Sequence, residues 1–150
     1  MLISLIYVSR CLISQAAQKT EVQTIVTGSA ERNGRLNVRG ALICTEQHFA
    51  QLLEGPEAAI DELMLSIGSD PRHDRVTIIE RKPIDGYRFV DWDLAYWGSA
   101  SYMDRKIAAV LEKQATETIT SETAQLYDLM QLLARESHKQ HRPIGRPSPG

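Results

Sequence analysis

The 150-residue chain has only two cysteines, Cys11 and Cys44, and neither stands in a CxxC or Cys/His spacing. A disulfide framework or a zinc site needs more than that, so both read as reduced structural thiols. No charge of one sign dominates: 17 Lys and Arg face 19 Asp and Glu, a formal net charge of −2. Nucleic acid demands a dense positive face, and this balance gives it no footing. No apolar run approaches the roughly 20 residues of a membrane helix. The N-terminal MLISLIYV lacks a basic start, is interrupted by Ser4 and is closed by Arg10, which falls short of a signal peptide. It reads as a strand of a soluble, cytoplasmic protein. Nucleophile motifs such as GxSxG are absent, so no catalytic residue is assigned. His73 has no second His or Cys at ligand spacing, which disfavours a metal; His48, His138 and His141 read as surface or tail residues.

What is present suits one domain with a normal core, given the length. Residues 2–9 read as a buried strand with Ile3, Leu5 and Tyr7 on one face. From about 14 to 29, Val22, Ile25, Val26 and Ser29 keep helical spacing, with Ser14 to cap the start and Gly28 near the end. A polar link, SAERNG, leads to two strand candidates, 36–45 and 48–54, which should form a hairpin. Gly55-Pro56 opens the clearest helix, with Pro at its first position, a stripe of Ile60, Leu63, Met64 and Ile67, and Gly68 at its end. Residues 75–82 and 88–97 supply two more strands, the latter with Trp92, Leu94 and Tyr96 on one parity.

The order is therefore α+β, a ferredoxin-like βαββαβ sheet with a fifth strand. Two short helices follow, carrying Met103, Ile107, Val110 and Leu111, then Leu126, Leu129, Met130 and Leu133. They are the available cover for the second sheet face. This divides the chain into a core at 1–98, a helical extension at 99–138 and a disordered Pro/Gly-rich tail at 139–150.

Within FAQLLEGPE, Gln51 is one amide in an otherwise apolar run. On periodicity it can be an edge glutamine facing water. If it faces inward, its amide needs partners, because an unpaired buried amide costs about 1–3 kcal/mol. Tyr7, on the apolar parity of the first strand, is a plausible partner. Arg32 and Asn33 fall in the polar link, where Asn before Gly34 is usually turn chemistry. Asp70-Pro71-Arg72-His73 looks like a helix-to-strand turn.

Taken in order, these residues resemble the BLUF family, blue-light sensors that use flavin. The features are Tyr7-Val8-Ser9 in the first strand, Asn33 in RNGRL, FxQxLEGP from Phe49 to Pro56, DPRH at 70–73, and Arg88, Phe89 and Trp92 in RFxxW. The similarity spans residues 1 to about 98. It implies a non-covalently bound FAD or FMN whose ring lies between the two helices, with Tyr7 and Gln51 as the photoactive pair. Light would draw an electron and a proton from Tyr7, and the Gln51 amide would rotate or tautomerise. It further implies Asn33, Arg32, Gln51, Asp70, Arg72 and His73 as flavin-binding residues, and Ser9, Trp92 and Leu94 as a signal relay. Short members of this family act on a separate output protein, such as a phosphodiesterase or a transcription regulator, and a homo-oligomer is expected.

The chain departs from the family pattern in three places. Leu36-Asn37-Val38-Arg39-Gly40 puts two polar residues in a normally smoother strand, Leu94 replaces a Met, and Arg32 stands where many members have Asn. Trp97 reads as core packing. Two other readings remain: an acylphosphatase-like hydrolase using Arg10 and Asn33, for which a Gly-rich phosphate loop is missing, and a flavin-free interaction module of the same fold.

Overall fold

The computed structural model of the protein describes residues 1–98, 104, 105, 107–109, 128 and 130, apart from the side chain of Tyr96. Within the described residues 1–98, five strands and two α-helices follow in the order β1 (Leu2–Cys11), α1 (Gln18–Arg35), β2 (Arg39–Thr45), β3 (His48–Pro56), α2 (Glu57–Gly68), β4 (His73–Pro83) and β5 (Trp92–Gly98). A single 3-10 turn, Gln15–Ala17, precedes α1. The strands form one sheet in the order β4-β1-β3-β2-β5. β1 is antiparallel to both β3 and β4, β2 is antiparallel to β3, and β5 joins β2 in parallel. The first four strands are thus the expected βαββαβ arrangement, with the fifth added beyond β2.

Period-two alternation divides the sheet into two cores. Ile3, Leu5, Tyr7, Leu42, Cys44, Phe49, Leu53 and Trp92 face α1 and α2, where Val22, Ile60 and Leu63 meet them. Ile6, Val8, Ala41, Ile43, Ala50 and Leu52 face the other way, against Phe89, Ile107 and Met130. The last two come from described helical residues of the C-terminal region. The rest of the two expected C-terminal helices and the tail at 139–150 lie outside the described residues. Among the described residues no helix is long and apolar enough to cross a membrane.

Several boundaries differ from those expected. The first helix starts at Gln18, not at Ser14, whose side chain makes no capping hydrogen bond, and it runs through SAERNG to Arg35. Asn33 is therefore not a link residue but a buried residue of the last turn. The face begun by Gln18 and Val22 continues through Ile25 and Ser29 to Asn33 at helical spacing. Its second half is polar because it borders a cavity instead of the core, so the apolar signal stops while the helix does not. Pro56 ends β3 and caps α2, which begins one residue later than expected. The fifth strand begins only at Trp92, leaving 84–91 as an irregular strap.

That strap explains the polar residues at 37 and 39. Asn37 adopts φ 58°, a left-handed conformation that Asn tolerates better than most residues, and its carbonyl accepts from Tyr87 Oη at 2.6 Å. The Arg39 guanidinium lies 4.0 Å from the centre of the Tyr87 ring and donates to the Phe89 carbonyl at 3.3 Å. At Gly40, φ is +146°, and an added Cβ would stand 1.9 Å from the Leu52 carbonyl oxygen, so only glycine fits there.

Candidate functional site

Tyr7 and Gln51 are direct partners in the β1–β3 register, so strand pairing alone puts their side chains side by side on the helix-covered face. Both are buried. Gln51 Nε2 donates to Tyr7 Oη at 2.7 Å, and Trp92 Nε1 donates to Gln51 Oε1 at 2.9 Å. An indole N–H can only donate, so it fixes which end of the amide faces β5 and which faces the phenol. Trp92 pairs with Gly40 across β2, a position with no side chain to intervene, and so reaches β3. The edge-exposed reading of Gln51 is excluded.

This chain borders a cavity of about 320 Å³ between α1 and α2. Its walls include Tyr7, Gln51, Phe49, Arg32, Asp70 and His73. Gly28 and Ser29 of α1 also line it, and a Cβ at Gly28 would meet nothing within 4 Å. A mid-helix glycine costs about 1 kcal/mol relative to alanine; here it keeps the wall open. The volume lies in the usual range for small-molecule sites, about 300–1,000 Å³.

The DPRH turn forms the far wall. Arg72 closes onto Asp70 through its backbone N–H at 3.0 Å and its guanidinium at 2.6–3.1 Å, a paired hydrogen bond that holds the Asp70 carboxyl below its usual range. His73 is held at both ring nitrogens. Nε2 donates to the Ile67 carbonyl at 2.7 Å, and Nδ1 lies 2.7 Å from Ser9 Oγ. Its ring stands edge-on to Tyr7 and Phe49, with centroids 6.2 and 5.7 Å away. Ser9 thus supports His73 directly. Leu94 packs half-buried beside the same cluster. Burial drives the Tyr7 phenol well above its ordinary pKa, and the Gln51 hydrogen bond opposes this only in part.

Two polar atoms at the end of α1 are buried without a partner among the described residues: Nε of Arg32, which lines the cavity, and Oδ1 of its neighbour Asn33, which does not line it. Such orphans are rare unless a ligand completes them. An amide acceptor, a guanidinium donor and the spare N–H of Gln51 suit the alternating N–H and C=O edge of a flavin ring, and the residues present fit that group.

Other expectations are corrected. Arg10 does not join Asn33 at the cavity; it is exposed and paired with Asp74, donating from Nε at 2.8 Å, so the phosphate-holding pair of a hydrolase is not assembled. Trp97 is 39% exposed and is not core. His48 is buried, not a surface residue, with Nδ1 2.9 Å from Asp104 Oδ1; Thr45 donates to the same oxygen. This joins the β2–β3 turn to the C-terminal region. No cluster of three metal-ligating side chains occurs among the described residues.

One group escaped the sequence reading. Glu54 is fully buried on the opposite face of β3 and accepts from the backbone N–H groups of Arg88 and Phe89 at 2.8 and 3.0 Å and from Arg88 Nε at 2.7 Å. Arg88 Nη2 donates to Ser4 Oγ at 2.8 Å. A carboxylate in an otherwise apolar strand was the available signal.

Residues 2–95 match the family described as BLUF, sensors of blue-light using FAD. The chain is 34% identical over 86 residues to the photoactivated adenylate cyclase subunit beta of Euglena longa, covering 55% of this chain and 10% of that protein. It is 37% identical over 73 residues to the blue light- and temperature-regulated antirepressor BluF of Escherichia coli (strain K12), covering 49% and 18%. The chain therefore spans less than a fifth of the length of these curated relatives. Among solved structures, BlrB, a BLUF protein in its dark state, superposes with a TM-score of 0.65 at 30% identity, covering 87% of this chain and 96% of that one. With well over half of its residues inside the matched region, the chain belongs to the BLUF family of flavin-using blue-light sensors.

Proposed function

We propose that the protein is a blue-light receptor that holds a flavin non-covalently between α1 and α2 and uses Tyr7, Gln51 and Trp92 as its switch. The observation that carries this is the unbroken hydrogen-bonded line from Trp92 through Gln51 to Tyr7 on the cavity wall. Bound there, a flavin supplies blue absorption and, when excited, a sink for one electron. Tyr7 is the residue positioned to donate that electron. Its proton is held tightly by burial and must leave with the electron, and the group in hydrogen-bond contact with its oxygen is the Gln51 amide.

The amide nitrogen that now donates to the phenol cannot accept this proton, so Gln51 must present an acceptor instead, either Oε1 or the imine nitrogen of its imidic-acid tautomer. Either the side chain rotates or the amide tautomerises. A rotated amide would aim its N–H₂ at the Trp92 N–H, two donors facing each other. The strand that carries Trp92 therefore senses the state of Gln51. Asn33 and Arg32 hold the ring edge, while Asp70, Arg72 and His73 shape the far wall.

BLUF domains are sensory modules, and the output belongs to a separate protein reached through β5 and the C-terminal region. The relatives' names point to a nucleotide-signalling enzyme or a transcription regulator as that class of partner. A cytoplasmic setting and a homo-oligomer complete the reading, and light-dependent pull-down and sizing test both kinds of partner. The central experiment is optical. The purified full chain is yellow, its blue band moves to longer wavelength on illumination, and it returns in darkness. Tyr7→Phe keeps the colour and loses the shift. A colourless protein, or a Tyr7→Phe variant that shifts like its parent, sinks the proposal.

A further inference from the structure

The sheet ends at β4, and along that edge α2 and β4 flank a groove of about 560 Å³. Its floor is apolar: Met64 and Val76 are half-buried, while Leu65 and Ile78 stand 79% and 48% exposed. Large apolar side chains exposed side by side mark an interaction surface, whereas single ones mean little. The charges around this floor do not balance. Asp61 accepts from Arg81 at 2.7 Å and Asp74 pairs with Arg10, so both carboxylates of the groove already have a cation. Arg75 is exposed, and among the described residues no carboxylate oxygen comes within 4.0 Å of its guanidinium. One uncommitted guanidinium beside an apolar floor calls for a partner that is both apolar and acidic.

The shape of the edge narrows the choice further. At Ile107 and Met130 the chain's own C-terminal region packs on the opposite face of the sheet. An added strand does not suit β4, which shifts register twice against β1 and carries Glu80, Arg81 and Lys82 in succession; bulges and charges of this kind guard an edge against pairing. A helix needs no backbone bonds from its host and lays an apolar stripe into such a groove. We infer that this groove docks an acidic amphipathic helix of a separate partner protein, whose apolar stripe covers Leu65 and Ile78 and whose carboxylate meets Arg75. β5 lies at the other end of the sheet, so this partner does not compete with one reached through β5. Arg75 stays in contact with water, so its charge selects the partner more than it tightens the complex.

In the test, the full chain selects binders from a displayed library of random peptides of about 15 residues, roughly four helical turns, and the selected peptides are titrated by fluorescence anisotropy. The expected binders carry apolar residues at helical spacing together with Asp or Glu. Leu65→Asp abolishes their binding, and Arg75→Asp weakens it about tenfold, an effect that shrinks as salt rises. Both positions are exposed, and Asp tolerates the left-handed φ of 52° found at Arg75, so both variants fold. An absence of binders, binders rich in Lys and Arg, or binding indifferent to either substitution overturns the site. Sizing of the full chain tests the competing occupant: an oligomer that Leu65→Asp dissociates assigns the groove to a second copy and overturns the separate partner.

Discussion

At the scale of residues, the site is a contest over one amide. Gln51 can point either way along the line between Tyr7 and Trp92, and the donor-only indole decides the resting orientation. A hydrogen bond of this kind is worth about 0.5–1.5 kcal/mol, enough to bias the two orientations roughly fivefold. Trp92→Phe removes that bias while keeping an aromatic side chain. The expected result is a second dark-state environment for the Gln51 side chain, seen as doubling or broadening of its Nε2 amide signals in NMR. A single sharp pair of signals, unchanged from the parent, would mean that something other than Trp92 fixes the amide. The pairing itself was only partly legible in advance: Tyr7 falls on the apolar parity of its strand, while periodicity left Gln51 free to face water or the core. The Arg32 and Asn33 positions were misplaced. Their stretch looks like a polar link when read for apolar period, since the partner of that face is a cavity and leaves no hydrophobic stripe.

At the scale of elements, residues 84–91 are held down by a few specific contacts. Two neighbouring backbone N–H groups and a guanidinium converge on the buried Glu54 carboxylate, and Tyr87 and Arg39 close the outer side. This strap delivers the chain to Trp92, so the position of the indole depends on it. Glu54→Gln replaces one of the two acceptor oxygens with a donor, which then faces groups that also donate. The expected cost is about 1–3 kcal/mol in denaturant unfolding, with faster hydrogen exchange at Arg88 and Phe89. Unaltered exchange in the strap would assign Glu54 no role there. Strand and helix identities were readable from periodicity, and α2 most clearly, because Pro, Gly and a full apolar stripe agree over its length. The late start of β5 was not readable: RFVDW looks extended, and what breaks it is a contact with Glu54, 34 residues earlier.

At the scale of the whole molecule, the sheet is a two-sided layer with a titratable core. Burial raises the pKa of both Tyr7 and Cys44 far above their ordinary values, so the folded protein keeps both protons where an unfolded chain would release them. A group whose folded pKa is raised contributes stability that is fully present below its unfolded pKa and is lost as pH rises toward the folded value. The unfolded chain then binds fewer protons than the native one, and unfolding is favoured by alkali. The loss begins near pH 8.5–9 for the Cys44 thiol and near pH 10 for the Tyr7 phenol, at up to about 1.4 kcal/mol per pH unit for each. Denaturant melts of the apoprotein taken from about pH 8 to about pH 11 should therefore show a slope that steepens in two stages. Cys44→Ala flattens the earlier stage and Tyr7→Phe the later one, whatever each variant does to stability at neutral pH. A Tyr7→Phe protein that loses stability above pH 10 as steeply as its parent would mean that the phenol ionises in the folded state. The tight hold on the Tyr7 proton, and with it the need for Gln51 to receive that proton, would then be wrong.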